Sequence, residues 1–476
     1  MHDEPRGALL DPSVGVSGAL PRTVWLEVED FLQYFDDGAK PVGISRVQME
    51  LFTELRRLTG SGVDIRFCRL DRFSHRFKAV TYAELQRTFR DPPLTYAPWL
   101  WPAASIKCLL ALPKRWLSDG MKVIGRIFRA MVATMDRPGR APHGSVAFHP
   151  GDVLVCTGMS WVNSRYGKLV AAAKRRWGIG FLMLFHDIIP ISHPEFSGIV
   201  RRFRRWTDEM LRNADGLATQ SRYSRDALLD HARKIGFGTP PVTILRLGAL
   251  FARSASEPLA SPYRFSLPRP YVLFVSTIEI RKNHMLLVRV WKRLIARHGE
   301  AAVPALVFVG ARGWLVKQLW AELAATRYLD GKVRIMSGLS DAELELCYRY
   351  CLLTAYPSFV EGWGLPVAES LLYGKLCIAS NRSSLPEVGG PLADYFDPDD
   401  EESALAVFER AIFDRAYRES REAQIRRDYQ APSWVRCAET LLHAALEASR
   451  SIAPGKDTET APVNRIPPIV AAGAAQ

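Results

Sequence analysis

The chain has 476 residues, of which 48% are hydrophobic and 24% charged; this suits a soluble globular protein too long for a single core. Its 63 basic and 50 acidic residues leave a net charge of +13, which points to an anionic partner without naming it as phosphorylated substrate, nucleic acid or membrane surface. No apolar run reaches the roughly 20 residues that cross a bilayer, the N-terminus lacks a signal-peptide pattern, and the cysteines lack metal-ligand spacing; a cytoplasmic protein with free, buried thiols is expected.

Residues 1–22 and 450–476 read as disordered tails, rich in Pro, Gly, Ala and charge. Between them apolar runs alternate with amphipathic stretches. TVWLEV (23–28) predicts a strand, and GISRVQMELFTELRRL (43–58) a helix with Val47, Leu51 and Leu55 on one face. VDIRFCRL, DVLVCTG, FLMLFHD and PVTILRLGA predict further strands, with helices over KLVAAAKRRWG and from Ser224. Residues 91–145 break this alternation with eight Lys and Arg against three Asp, interleaved with Trp, Leu and Ile. That pattern fits a basic amphipathic surface for an anionic membrane, or a helical insertion packed on its own domain.

A Ser- and Pro-rich stretch, 254–270, reads as a linker. After it the alternation restarts: strands at YVLFVST, PALVFVGA, VRIMSG, LLTAYPS and KLCIAS, and helices at 284–299, 313–329, 340–351 and from Pro366. Strand and helix repeating on both sides of a linker predict an α/β protein of two doubly wound domains with parallel sheets. The expected units are 23–253 and 271–432, with a C-terminal helix at 433–449 returning to the first. Ligands of such sheets sit beyond the carboxyl ends of the strands, so the cleft between the domains is the expected site.

The chemistry concentrates in YPSFVEGWGLPVAES (356–370), where Glu361 and Glu369 flank a glycine-rich bend at a helix start. The amides of Gly362, Trp363, Gly364 and Leu365, with the helix N-terminus behind them, suit an anion. Glu361 is placed to accept hydroxyls of a polyol, and Glu369 a diol such as that of ribose. An isolated pair of this kind more often serves the helix dipole and faces water. Here STIEIRKNH (276–284) adds Arg281 and Lys282 after a strand, suited to a diphosphate, and SNRSSLPEVGG (380–390) adds loop amides and hydroxyls, with Ser384 and Leu385 as candidates.

These segments together resemble the retaining glycosyltransferases of family 4, which have the two-domain GT-B fold. The resemblance runs over most of 23–449 and is strongest in 333–398, including the Glu-x7-Glu motif. LFVSTIEIRKNHMLLVRVW, LVFVGARGW, GISRVQMEL, FHDIIPISHPE and ADGLATQSRYSRDAL also look like family segments. It implies that Glu361 binds the transferred sugar, Glu369 the ribose, and Arg281 and Lys282 the diphosphate leaving group. It further implies that His186 reaches the sugar from the first domain, with Asp187 either orienting it or capping the turn as part of the substrate site, and that Gly43, Ile44, Ser45 and Arg46 form a glycine loop approaching the diphosphate. Ser276 stands where the family often has Gly, and Trp363 where Phe is commoner.

The resemblance implies a retaining transfer of a hexose, mannose from GDP-mannose first and glucose or galactose from UDP next. No metal or other cofactor is expected. The implied acceptor is a saccharide or polyprenyl-diphosphate-linked saccharide of bacterial polysaccharide synthesis, handled at the inner membrane face. Rival readings are a sugar phosphorylase, a nucleotide-sugar epimerase, and a non-enzymatic protein that binds anionic membranes with a relic cleft. No nucleic-acid-binding motif accompanies the charge.

Overall fold

A computed structural model describes residues 23–36, 43–59, 63–71, 74–90, 144–249 and 267–450. The expected tails up to 22 and from 451, the basic insertion over 91–143 and the linker over 254–266 lie outside the described residues.

Strands β1 (Thr23–Glu27), β2 (Asp64–Leu70), β3 (Phe77–Val80), β4 (Val153–Cys156), β5 (Gly180–Phe185), β6 (Gly216–Thr219) and β7 (Val242–Ile244) form one sheet, in the order β3-β2-β1-β4-β5-β6-β7. Strands β8 (Tyr271–Val275), β9 (Ala305–Val309), β10 (Val333–Met336), β11 (Leu353–Tyr356), β12 (Cys377–Ser380) and β13 (Asp394–Phe396) form the other, in the order β10-β9-β8-β11-β12-β13. The second sheet is parallel throughout. Its central strands read as unbroken apolar runs because helices cover both faces; Val272, Leu273 and Phe274 are fully buried. In both sheets the order reverses beside the first strand of the unit, which opens a crevice at its carboxyl end.

Seven helices bear on the site: α1 (Glu29–Asp36), α2 (Gly43–Arg57), α3 (Arg222–Lys234), α4 (His284–His298), α5 (Asp341–Tyr350), α6 (Leu365–Leu372) and α7 (Trp434–Arg450). Val47, Leu51 and Leu55 of α2 are buried, as their spacing requires. Helix α5 starts at a capping box, with Ser340 and Glu343 satisfying each other's backbone amides. Helix α7 leaves the second unit and packs on α2 and on β4 to β6, burying Trp434, Ala438, Leu441 and Ala445 in the first unit's core.

Several local expectations change. The first sheet is not wholly parallel: β3 returns antiparallel to β2 across a short turn. Helix α3 begins two residues before Ser224, because Ser221 takes the N-cap and its hydroxyl accepts from the Ser224 amide at 3.0 Å. The helical pattern over 313–329 yields only Lys317–Ala325 and a separate turn, Arg327–Asp330. The Thr326 hydroxyl accepts from the Leu329 amide at 3.3 Å there, and Arg327 to Asp330 take positive φ. Among the described residues no helix is long and apolar enough to cross a membrane. The six described cysteines are free and buried, and no described group of three or more His, Cys, Asp or Glu is arranged to hold a metal ion.

Candidate active site between the two domains

Strand β8 ends at Val275, and the chain then makes a short turn at Ile280–Lys282 before α4. This turn delivers Arg281 and Lys282 to the mouth of β11, where Glu361 lies five residues after Tyr356. Lys282 donates from Nζ to Glu361 Oε1 at 2.5 Å and to the Tyr356 hydroxyl at 3.1 Å. Arg281 donates to Glu361 Oε2 at 2.8 Å, to the Val360 carbonyl at 2.6 Å and to Glu279 Oε1 at 2.6 Å. Two cations and two carboxylates thus form one buried network, with Glu361 only 5% exposed.

Burial opposes ionisation of Glu361, yet Arg281 and Lys282 together hold its pKa down at about 2. Despite burial of its own, Arg281 is held above its ordinary range by Glu361 and Glu279. Burial and the adjacent Arg281 pull Lys282 below its ordinary range, which makes it the cation with the looser proton. Sequence reasoning missed Glu279, although it lies two residues before Arg281. Its Oε2 is buried without a hydrogen-bond partner, and burial raises its pKa.

The loop after Glu361 is fixed from two sides. Ser383 Oγ accepts from the Glu361 amide at 2.8 Å, and Ser384 Oγ donates to the carbonyls of Glu361 and Trp363 at 2.9 and 2.7 Å. Gly364 takes φ 122° as the N-cap of α6, a conformation side chains rarely adopt. Pro366 occupies the first turn, where no amide hydrogen is needed. The amides of Gly362, Trp363, Gly364 and Leu365 have no acceptor among the described residues. Leu385 is buried beneath them, and Trp363 inserts into the core of the first unit, beside Trp434 and Cys437.

Glu369 is the fifth residue of α6. It is 4% exposed and accepts from the Tyr348 hydroxyl at 2.6 Å. Burial raises its pKa to about 7, with Tyr348 and then Arg46 acting the other way. Arg46 itself pairs with Asp341 of α5 across the two units. Gly43, Ile44, Ser45 and Arg46 form the first turn of α2, not a loop; Gly43 has φ 43° and Ser45 is buried. The structure thus brings Arg46 toward Glu369. Ser276 lies at the end of β8, its hydroxyl 3.3 Å from His284 Nε2.

From the opposite unit, β5 ends at Phe185 and delivers His186 and Asp187. His186 is 8% exposed; its Nε2 lies 2.8 Å from the Thr157 carbonyl, and its Nδ1 bonds the Gln220 amide. A carbonyl and an amide NH2 on the two ring nitrogens assign the neutral, Nε2-protonated tautomer. Burial lowers its pKa to about 4 against both bonds. Asp187 Oδ1 accepts from the Ile189 amide at 2.9 Å, and burial raises its pKa against the pull of Arg281. A Cβ at Gly362 would lie 2.6 Å from the His186 carbonyl and 3.0 Å from Asp187 Cβ, so glycine is what lets the two loops meet.

Residues 259–430 match the family described as "Glycosyl transferases group 1". O-antigen chain mannosyltransferase B of Escherichia coli is 29% identical over 266 residues, covering 55% of this chain and 68% of that protein. The serotype-specific mannosyltransferase WbdA of E. coli is 31% identical over 185 residues, but the matched part is 39% of this chain and only 22% of WbdA. Among solved structures, Anabaena HepE in complex with UDP superposes with a TM-score of 0.51 at 12% identity, over 89% of this chain and 98% of that one. Sucrose-phosphate synthase from Thermosynechococcus elongatus does so at 0.51 and 16%, over 90% and 97%. The chain therefore has the GT-B fold, is similar over 259–430 to the group 1 glycosyl transferases, and resembles the bacterial O-antigen mannosyltransferases.

Proposed function

We propose that the protein moves a hexosyl group, mannose from GDP-mannose first, to a saccharide or polyprenyl-diphosphate-linked saccharide, with retention of anomeric configuration. The observation that carries this reading is the buried Glu279–Arg281–Glu361–Lys282 network beside four loop amides, facing His186 and Asp187 of the other domain. Likeness to the O-antigen mannosyltransferases supports the sugar and the acceptor class.

In this reading the network is a preformed electrostatic device. Its cations are already desolvated and aimed, so little reorganisation accompanies charge build-up on the departing diphosphate. Lys282 uses two of its three N–H bonds on Glu361 and Tyr356, which leaves one for a phosphate oxygen. Arg281, Lys282 and the amides of 362–365 would together take the role a divalent cation has elsewhere. Glu361 orients the cations and presents its carboxylate to sugar hydroxyls, while Glu369 accepts the ribose diol. His186 is neutral at physiological pH, with both ring nitrogens held by Thr157 and Gln220, and acts by position, not as an imidazolium. The leaving phosphate oxygen takes the proton of the attacking acceptor hydroxyl on the same face of the sugar, which yields retention. Closure of the domains over the site keeps water from competing with the acceptor.

The test is release of nucleoside diphosphate from GDP-mannose, UDP-glucose and UDP-galactose, with lipid-linked saccharide as acceptor and product anomers assigned by NMR. An α-linked product from an α-linked donor supports the reading. Inversion, or release of sugar phosphate, rejects it. Turnover with a UDP-hexose alone moves the donor to the second reading and keeps the chemistry.

A further inference from the structure

The first turn of α3 belongs to the N-terminal domain, yet a carboxylate of the C-terminal domain caps it. The Arg222 amide donates to Glu387 Oε2 and the Tyr223 amide to Glu387 Oε1, both at 2.8 Å. The third free amide of that turn, Ser224, is taken by the Ser221 hydroxyl of the same domain. That same hydroxyl donates to the Gly362 carbonyl at 2.8 Å, and Ser224 Oγ donates to it at 3.2 Å. Two groups therefore cross the domain boundary in opposite directions within one helical turn. One is a carboxylate going into the helix N-terminus, where the helix dipole favours it. The other is a pair of hydroxyls reaching the loop that carries Glu361.

The two contacts share a frame. Glu387 lies three residues after Ser384, whose hydroxyl holds the carbonyls of Glu361 and Trp363. A domain that docks on Glu387 and on Gly362 thus sets the loop whose amides face the donor. The Glu387 side chain is 23% exposed and lines a cavity of about 680 Å³, with Arg222, Arg246, Trp363, Gln430 and Arg436, beside the chain crossing at 430–433. Separation of the domains would leave the Arg222 and Tyr223 amides and the Glu387 carboxylate to water, which can solvate all three. The Glu387 half of the contact can therefore part without stranding an unpaired buried group.

We propose that Glu387, with Ser221 and Ser224, is a closing latch that positions the 361–364 loop for transfer; the kinetic part of this rests on the transferase reading above. These are positioning residues. The latch acts through Gly362, because only a glycine there admits the His186 carbonyl and completes the closed contact.

The experiment measures the interdomain distance distribution by pulsed electron paramagnetic resonance. Spin labels are placed on exposed Ala172 and Ala324, changed to Cys, in a Cys108→Ser background, because the described cysteines are buried. The full-length chain is used, alone and with GDP or UDP. Glu387→Gln keeps the size of the side chain but turns an N–H donor toward an amide. Ser224→Ala removes one bridge and leaves the Ser221 cap. Gly362→Ala wedges the loop without touching either charge. The expected result is a longer or broader distribution in Glu387→Gln and Gly362→Ala, with a smaller change in Ser224→Ala. In Glu387→Gln, with it come a fall in kcat of at least tenfold, donor KM within about twofold, and a rise of at least threefold in donor hydrolysis relative to transfer. Glu387→Asp is expected to recover part of each loss.

An unchanged distribution in Glu387→Gln overturns the latch, whatever the activity and whatever Gly362→Ala does. A shifted distribution in a protein whose wild type transfers no sugar keeps the latch and rejects the transferase reading. A shifted distribution with the hydrolysis share unchanged overturns the positioning role.

Discussion

Replacing Glu361 with Gln takes the negative partner from two buried cations and leaves the shape of the loop intact. The magnitude follows from the position of its pKa, about 2 in the folded chain against an ordinary 4.5. At about 1.36 kcal/mol for each pH unit, that difference amounts to about 3 kcal/mol of stability. An independent route gives a similar size, since removing one partner of a buried ion pair costs about 3–5 kcal/mol. Because the folded pKa is depressed, the contribution is fully present above pH 4.5 and is lost as pH falls toward about 2. At pH 7 Glu361→Gln is therefore expected to lower the Tm of the C-terminal domain by about 6–12 °C, at about 2–4 °C per kcal/mol for a domain of this size. Differential scanning calorimetry at pH 7 and pH 3 measures it, with Lys282→Met and the Glu361→Gln/Lys282→Met pair completing a cycle. The pair should lose less than the sum of the singles, because it removes both charges together. A Glu361→Gln midpoint within 2 °C of wild type at pH 7, roughly under 1 kcal/mol by the same conversion, would refute the buried network.

Three further outcomes are expected. Burial raises the Glu369 pKa to about 7, and in the proposed reading its ionised form binds the ribose diol, so donor affinity should weaken as pH falls from 8 to 6; calorimetry showing the same slope in Glu369→Gln would contradict this. Glu27 is 1% exposed and burial raises its pKa to about 8, so the folded state favours the protonated acid and loses stability as pH rises from 4.5 toward 8. Glu27→Gln should then be more stable than wild type at pH 8 by about 3–5 kcal/mol and nearly equal at pH 4, checked by urea unfolding at both values. His186, with a pKa lowered to about 4, should show an Nε2-protonated ring in nitrogen NMR from pH 5 to 9, and a ring titrating near 6.5 would remove its burial from the account.

Most of the fold was legible because buried parallel strands leave unbroken apolar runs, and the turns between them carry Gly, Pro and Ser. The site's anchors were legible for a related reason: the acids, the Arg-Lys pair and the FHD segment each follow a strand end. Partners contributed from far along the chain were not. Nothing local in the sequence says that Gln220 and the Thr157 carbonyl take both nitrogens of His186, or that the Tyr348 hydroxyl meets Glu369. Glu279 and Glu387 were in view within their motifs, but their meaning depends on contacts 82 and 165 residues away: Glu361 through Arg281, and Arg222. The edge strand β3 escaped because FKAV is short and its ladder is antiparallel to a neighbour otherwise read as part of a parallel set. The turn at Arg327–Asp330 escaped because Thr326 competes for a backbone amide that a helix pattern assigns elsewhere.

The central claim is that Arg281 and Lys282 form the seat of a nucleotide diphosphate. Isothermal calorimetry with GDP-mannose, UDP-glucose and UDP-galactose, each with and without added magnesium, tests it most directly when wild type is set beside Lys282→Ala. One sugar nucleotide is expected to bind equally well with and without the metal, and at least tenfold more weakly in Lys282→Ala while the protein stays folded. Equal binding by wild type and Lys282→Ala, or binding only when magnesium is present, would contradict it.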